Sequence, residues 1–173
     1  MKINVEKVIF KQLQKEDIPT LLDIQEETFA YAKGDTDFLR RNTAKTFAVC
    51  FEPPSVTIGA FLDGVMIAFG MLHAAGNNKE NLAYDVEQIE NPLDNANVKL
   101  TIVRPDYRGN GLQAMLIDKL TEHAKANGFT WSCSTASPNN IWSMNNLQKC
   151  GFTQVKLLQK YGGMQRALLC KKL

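Results

Sequence analysis

The stretch VRPDYRGNGLQAMLIDKL, Val103 to Leu120, decides how the chain is read. An apolar, strand-like run ends at Val103, and Pro105 blocks its continuation. Arg108-Gly109-Asn110-Gly111 then leads into a segment whose Leu112, Met115, Leu116 and Leu120 fall on one helical stripe. The order is strand, glycine-rich turn, helix N-terminus. Glycines in such a turn let backbone N–H groups approach a ligand closely, and the unpaired first-turn donors favour negative charge. The turn therefore suits a pyrophosphate, although glycines that merely shape a connection would read the same way. It is not a P-loop, because no G-x-x-x-x-G-K-S/T is present, and the G-x-G-x-x-G of dinucleotide folds fails at Ala114.

Downstream, Phe129 to Ala136 reads as a strand and Asn140 to Cys150 as a helix. With a strand at Asn97 to Val103 and a helix at Leu112 to Asn127, the second half alternates in the manner of parallel strands joined by helices. Asn127-Gly128 and Gly151 supply helix stops, and Thr153 to Lys160 with Met164 to Lys172 forms a final strand pair. Upstream, Val5 to Leu13 reads as a strand, and Asp17 as the N-cap of a helix carrying Ile18, Leu21, Leu22 and Phe29. A weaker helical pattern from Asp37 to Phe51 must end before Pro53-Pro54. Val56 to Leu62 and Val65 to Leu72 flank Asp63-Gly64, which predicts an antiparallel hairpin. Gly76 to Ala96 is rich in Asn, Asp and Glu and predicts a long exposed connection with no core element.

The 173 residues, 45% of them hydrophobic, are expected to form one domain over 1–173. Twenty Lys+Arg against eighteen Asp+Glu are spread along the chain, so charge supports neither nucleic-acid nor membrane binding. Cys50, Cys133, Cys150 and Cys170 lack C-x-x-C spacing, and His73 and His123 stand apart, so no metal site is expected. The N-terminus lacks a signal-peptide pattern and no apolar run is long enough to span a bilayer, which points to a cytoplasmic protein with reduced thiols.

V-x-P-x-x-R-G-x-G-L at Val103 to Leu112 resembles the acetyl-CoA signature of the GNAT superfamily, Gln/Arg-x-x-Gly-x-Gly/Ala. Arg108 and Gly111 match, and Gln113 departs from the final Gly or Ala. A second stretch, SPNNIWSMNNLQKCGF from Ser137 to Phe152, resembles the family's N-x-x-S-x-x-x-L-x-x-x-G-F helix, with Asn140, Ser143, Leu147, Gly151 and Phe152 matching in order. The resemblance implies an α/β (α+β) fold: a twisted mixed β-sheet with helices on both faces and two parallel central strands that splay apart. It implies acetyl-CoA as co-substrate, with its phosphates on the amides of Arg108, Gly109, Asn110, Gly111, Leu112 and Gln113. Ile102 and Val103 would then lie against the pantetheine and thioester, and Asn140 and Ser143 would face the pantetheine or its thiol. Helix capping is the plainer role for Asn140 and Ser143.

The implied reaction is transfer of an acetyl group to a primary amine of a small molecule or peptide by direct attack in a ternary complex. An alkyl amine with a pKa of roughly 10 must first lose a proton. Asp85, Glu87, Glu26 and Glu27 are eligible acceptors. The Tyr that the family often places four residues before the Gly of the G-F pair is replaced by Leu147, which leaves Tyr161 as a candidate acid for the departing thiolate. Cys133 and Cys150 read as small core residues. Leu147 and Gln113 favour an alternative, a catalytically weak or inactive CoA-binding regulatory module. Monomer and homodimer are both compatible with the sequence.

Overall fold

The computed structural model describes residues 1–33 and 37–173. Among them, seven strands form one mixed sheet in the order β1-β2-β3-β4-β5-β7-β6. The strands are β1 (Ile9–Gln12), β2 (Val56–Leu62), β3 (Val65–His73), β4 (Asn95–Val103), β5 (Trp131–Ala136), β6 (Thr153–Lys160) and β7 (Met164–Lys172). Neighbours are antiparallel except β4 and β5, which are parallel. Asp63 and Gly64, with φ of 49° and 81°, make the two-residue turn that sets Leu62 opposite Val65, as the sequence predicts.

Helices cover both faces. On one face α1 (Ile18–Tyr31) and α2 (Ala44–Ala48) bury Leu21, Ile24 and Phe47 against Phe69 and Met71 of β3 and Leu100 and Ile102 of β4. On the other, α3 (Leu112–Ala126) and α4 (Ile141–Lys149) bury Ile117, Leu120, Ala124 and Leu147 against Leu72, Val98, Ala167 and Leu169. Gly70 of β3 faces α3, where an added Cβ would lie 3.0 Å from Leu120 Cδ1, so its missing side chain lets the helix settle close to the sheet. Bonds from Phe129 N to Ala124 O (3.1 Å) and from Phe152 N to Leu147 O (3.0 Å) close α3 and α4 just past Gly128 and Gly151. No helix among the described residues is long and apolar enough to cross a membrane.

Several local expectations are corrected. The first strand is only Ile9–Gln12; Val5–Lys7 is a tight helical turn, because Asn4 Oδ1 accepts from Glu6 N at 3.0 Å and bends the chain. Asp17 does not cap α1; its carboxylate accepts from Gln14 N (2.9 Å) and holds the preceding turn, out of which α1 grows directly. The helix expected over Asp37 to Phe51 is just Ala44–Ala48 and a following short turn, started by Thr43 and Thr46 bonding each other's backbone. The fifth strand begins at Trp131, since Phe129 is used in closing α3.

The largest correction concerns Gly76 to Ala96. Leu82, Ala83, Val86 and Ile89 are buried against Cys133, Leu168 and Cys170, so this connection is a core element covering β5 and β7. Asn81 pins it: its Nδ2 donates to Gly76 O and Pro92 O, both at 2.8 Å, and its Oδ1 accepts from Ala83 N (3.0 Å) and Asn95 Nδ2 (2.9 Å). The connection ends where β4 begins, at Asn95.

Candidate active site

The site begins at an irregularity in β4. Pairing with β3 passes from Met71–Leu100 to Leu72–Val98, which leaves Lys99 as an extra residue in the strand. Such a bulge adds twist and bends the strand that carries it. At the same place β4 leaves β5: the parallel ladder covers only Asn95–Trp131, Ala96–Ser132 and Asn97–Cys133, while β4 runs on to Val103 and β5 to Ala136. Ser132 Oγ donates to Ala96 O (2.9 Å) inside this ladder and Ser134 Oγ to Val98 O (2.8 Å) just past its last pair, so a hydroxyl bond takes over where the strands begin to part. The two central strands are splayed, as the resemblance implies.

The opening is a cleft of about 950 Å³. Ile102, Val103, Arg108, Gly109, Gly111, Leu112, Gln113, Asn140, Ser143 and Tyr161 all line it. Asn110 does not: its side chain turns outward, donating to Met1 O (2.8 Å) and Tyr107 O (2.9 Å) and accepting from Ile3 N (3.2 Å). It ties the turn to the N-terminal segment. Gly109 and Gly111 both have φ of 76°, a conformation that L side chains resist, and Gly111 starts α3 with no side-chain cap. Among the described residues, no backbone acceptor meets the N–H groups of Gly109, Gly111, Leu112 and Gln113. These four residues line the cleft at the positive end of a four-turn helix, an arrangement able to receive an anion.

Gln113, the departure from the signature, is held by its neighbours: Nε2 donates to Thr101 Oγ1 (3.0 Å) and Ser143 Oγ (3.3 Å), and Oε1 accepts from Asn146 Nδ2 (2.7 Å). It stitches α3 to β4 and α4. Asn140 caps α4 through Oδ1 to Ser143 N (3.1 Å), so the capping role holds while the residue also lines the cleft. Tyr161 is half-buried; its hydroxyl lies 3.0 Å from Thr135 Oγ1 and its ring beneath Arg40, 4.6 Å from the guanidinium carbon. Arg108 stacks on Tyr31 at 4.9 Å and donates to Val103 O at 3.3 Å, and burial holds its pKa below the usual range.

None of the four acids named from the sequence lines the cleft. Glu26 pairs with Arg41, Glu27 with Arg104 and Asp85 with Lys160, and Glu87 is exposed. Sequence reading missed the groups in a small adjoining recess, where Glu80 and His73 meet Arg40, Lys99 and Tyr161. Glu80 approaches Arg40 at 3.5 Å and Lys99 at 4.0 Å. Burial first, and then the Lys99 charge, lowers the His73 pKa against the opposing pull of Glu80. Nothing in the polar run around Glu80 singles it out; only the folding of the connection against β4 does. The cysteines are all buried and none lines the cleft. Burial pushes the Cys50 and Cys150 thiols up to about 11, and the contact with Cys170 raises Cys133 further.

The model of the acetyltransferase (GNAT) family matches residues 18–152. A sequence search of curated proteins finds no match. Among solved structures, the ribosomal-protein-S18-alanine N-acetyltransferase from Escherichia coli is similar with a TM-score of 0.70 and 17% identity, over 95% of this chain and 93% of that one. An N-acetyltransferase from Staphylococcus aureus Mu50 gives 0.70 and 18% over 95% and 98% of the two chains. An aminoglycoside acetyltransferase in complex with coenzyme A and kanamycin gives 0.70 and 16% over 95% and 94%. These likenesses establish a shared fold. Because the family match runs from the start of α1 through the glycine-rich turn to the Phe152 that closes α4, the chain belongs to the acetyltransferase (GNAT) family.

Proposed function

We propose that the chain moves an acetyl group from acetyl-CoA to a primary amine of a small molecule or peptide by direct attack in a ternary complex. One observation carries this reading: a single cleft joins an anion cradle, an unpaired strand edge and a half-buried phenol. Its volume, about 950 Å³, lies within the range of small-molecule sites. The neighbour solved with coenzyme A and kanamycin supports the pairing of a CoA donor with an amine acceptor.

In this reading the amides of Gly109, Gly111, Leu112 and Gln113 hold the diphosphate, whereas the Arg108 amide, expected in the same set, is bonded to Pro105 O (3.3 Å) and Asn110 lies off the cleft. The β4 edge at Ile102 and Val103 bonds the pantetheine arm and orients the thioester carbonyl. The amine nitrogen attacks that carbonyl, the C–N bond forms, the C–S bond breaks, and Tyr161 donates its proton to the departing thiolate. The amine proton leaves to water in the open cleft. A covalent acetyl-cysteine plays no part, since the thiols are buried away from the cleft and held protonated. Four unpaired thiols suit a reducing cytoplasm.

Calorimetric titration with CoA, followed by thiol release from acetyl-CoA in the presence of amines, tests the reading. Saturable binding and amine-dependent release are expected. A folded protein with no affinity for CoA would overturn it.

A further inference from the structure

The sheet face opposite α3 gives the cleft a second, cationic wall. Arg40, Lys99 and Arg166 line it, and among the described residues no Asp or Glu lines the cleft at all. Arg166, on β7, is 3% exposed. It donates to the carbonyl of neighbouring Gln165 (2.9 Å) and to the sulfur of Met164 (3.4 Å). Asp37 and Tyr161 act on its charge from nearby, and burial outweighs both in setting its pKa below the usual range. Arg40 lies over the Tyr161 ring, and Glu80 stands 3.5 Å from it in the adjoining recess. A guanidinium that lines a cleft can offer its remaining N–H donors to an anionic group there.

We infer that the acceptor is an amine that also bears a carboxylate, and that Arg166 and Arg40 seat that carboxylate; the inference rests on the acetyl-transfer reading above. Three consequences of the geometry agree. The planar guanidinium fork matches a carboxylate in two parallel hydrogen bonds, which a lysine could not provide. A cationic wall favours the neutral form of a nearby amine, the form that attacks a thioester. It also repels acceptors with a second positive charge, so diamines and polyamines are disfavoured.

The test uses amines in matched pairs, each amino acid against its own carboxamide, with thiol release from acetyl-CoA as the readout and CoA titration as the control. The amide's amine is the less basic of the two, so chemistry alone favours the amide, and any preference for the acid reports recognition. The acid is expected to exceed its amide at least tenfold in kcat/KM. Arg166→Gln should bring that ratio towards one with CoA affinity unchanged, and Arg166→Lys should restore it only in part. Arg40→Ala, a change at a more exposed side chain, should lower the same ratio and covers the case in which the Arg166 variants do not fold. CoA binding with no preference for the acid, in turnover or in binding of the N-acetylated products, overturns the inference and leaves the cofactor reading standing. Faster turnover of diamines than of amino acids overturns it as well. Absence of CoA binding removes the acetyl-transfer reading, and this inference falls with it.

Discussion

Two residues separate recognition of the donor from chemistry upon it. At Gly111, φ is 76° and an added Cβ would meet nothing within 4 Å. A valine there would cost about 1–2 kcal/mol of backbone strain, confusing lost binding with lost stability. Asn tolerates the left-handed region, so Gly111→Asn should keep the melting temperature nearly unchanged while weakening CoA binding tenfold or more by calorimetry. Unchanged affinity would make the turn a plain connector. Arg108→Ala should do less, since that guanidinium is engaged with Tyr31 and Val103 O. At Tyr161, substitution by Phe keeps the ring under Arg40 and removes only the hydroxyl bonded to Thr135. If this phenol is the acid, kcat falls about a hundredfold with acetyl-CoA affinity unaltered. Full kcat in the variant would assign the proton to water.

Among the elements, the 76–96 connection has the most to teach, because its composition conceals its packing. Leu82, Val86 and Ile89 recur at helical spacing within a polar run, a signal that the count of Asn, Asp and Glu obscures. What holds them in place is Asn81, fully buried and engaged through both side-chain atoms in four hydrogen bonds. Asn81→Ala removes the partner of the half-buried Gly76 and Pro92 carbonyls and of the buried Ala83 N–H, at about 1 kcal/mol each. A loss of about 3 kcal/mol in urea unfolding is the expected result. A loss below about 1 kcal/mol would show that solvent reaches these groups and that the connection is loosely held. Gln113 plays a similar part for α3, β4 and α4, and a signature that prefers Gly or Ala at that place gives no hint of it.

For the whole molecule, His73 links folding to pH. It is 8% exposed, and burial and Lys99 hold its native pKa below the unfolded value of about 6.5. Between those two values the unfolded chain binds a proton that the native protein refuses, so stability rises with pH across that window. As pH falls through about 6.5 the protein should lose stability, and the loss should level off below the native pKa. Urea midpoints measured from pH 7.5 to 5.5 should decline in the parent protein and less in His73→Gln. Equal declines would place the titrating group elsewhere.

The features legible in the sequence are those decided within a few residues of chain. Asp63-Gly64 makes its hairpin, Gly128 and Gly151 end their helices, and Gly109 with Gly111 opens α3, because positive φ and a missing Cβ are properties of the residue itself. Two such local patterns, spaced by one helix and one strand, were enough to suggest the family and the splayed sheet. The tertiary structure alone decided the rest. The Lys99 bulge depends on register against β3, the burial of the 76–96 connection depends on β5 and β7, and the cationic wall assembles Arg40, Lys99 and Arg166 from three separate segments. Whether a charge is buried, paired or facing a ligand depends on partners distant along the chain, and that energy is set only when the sheet closes.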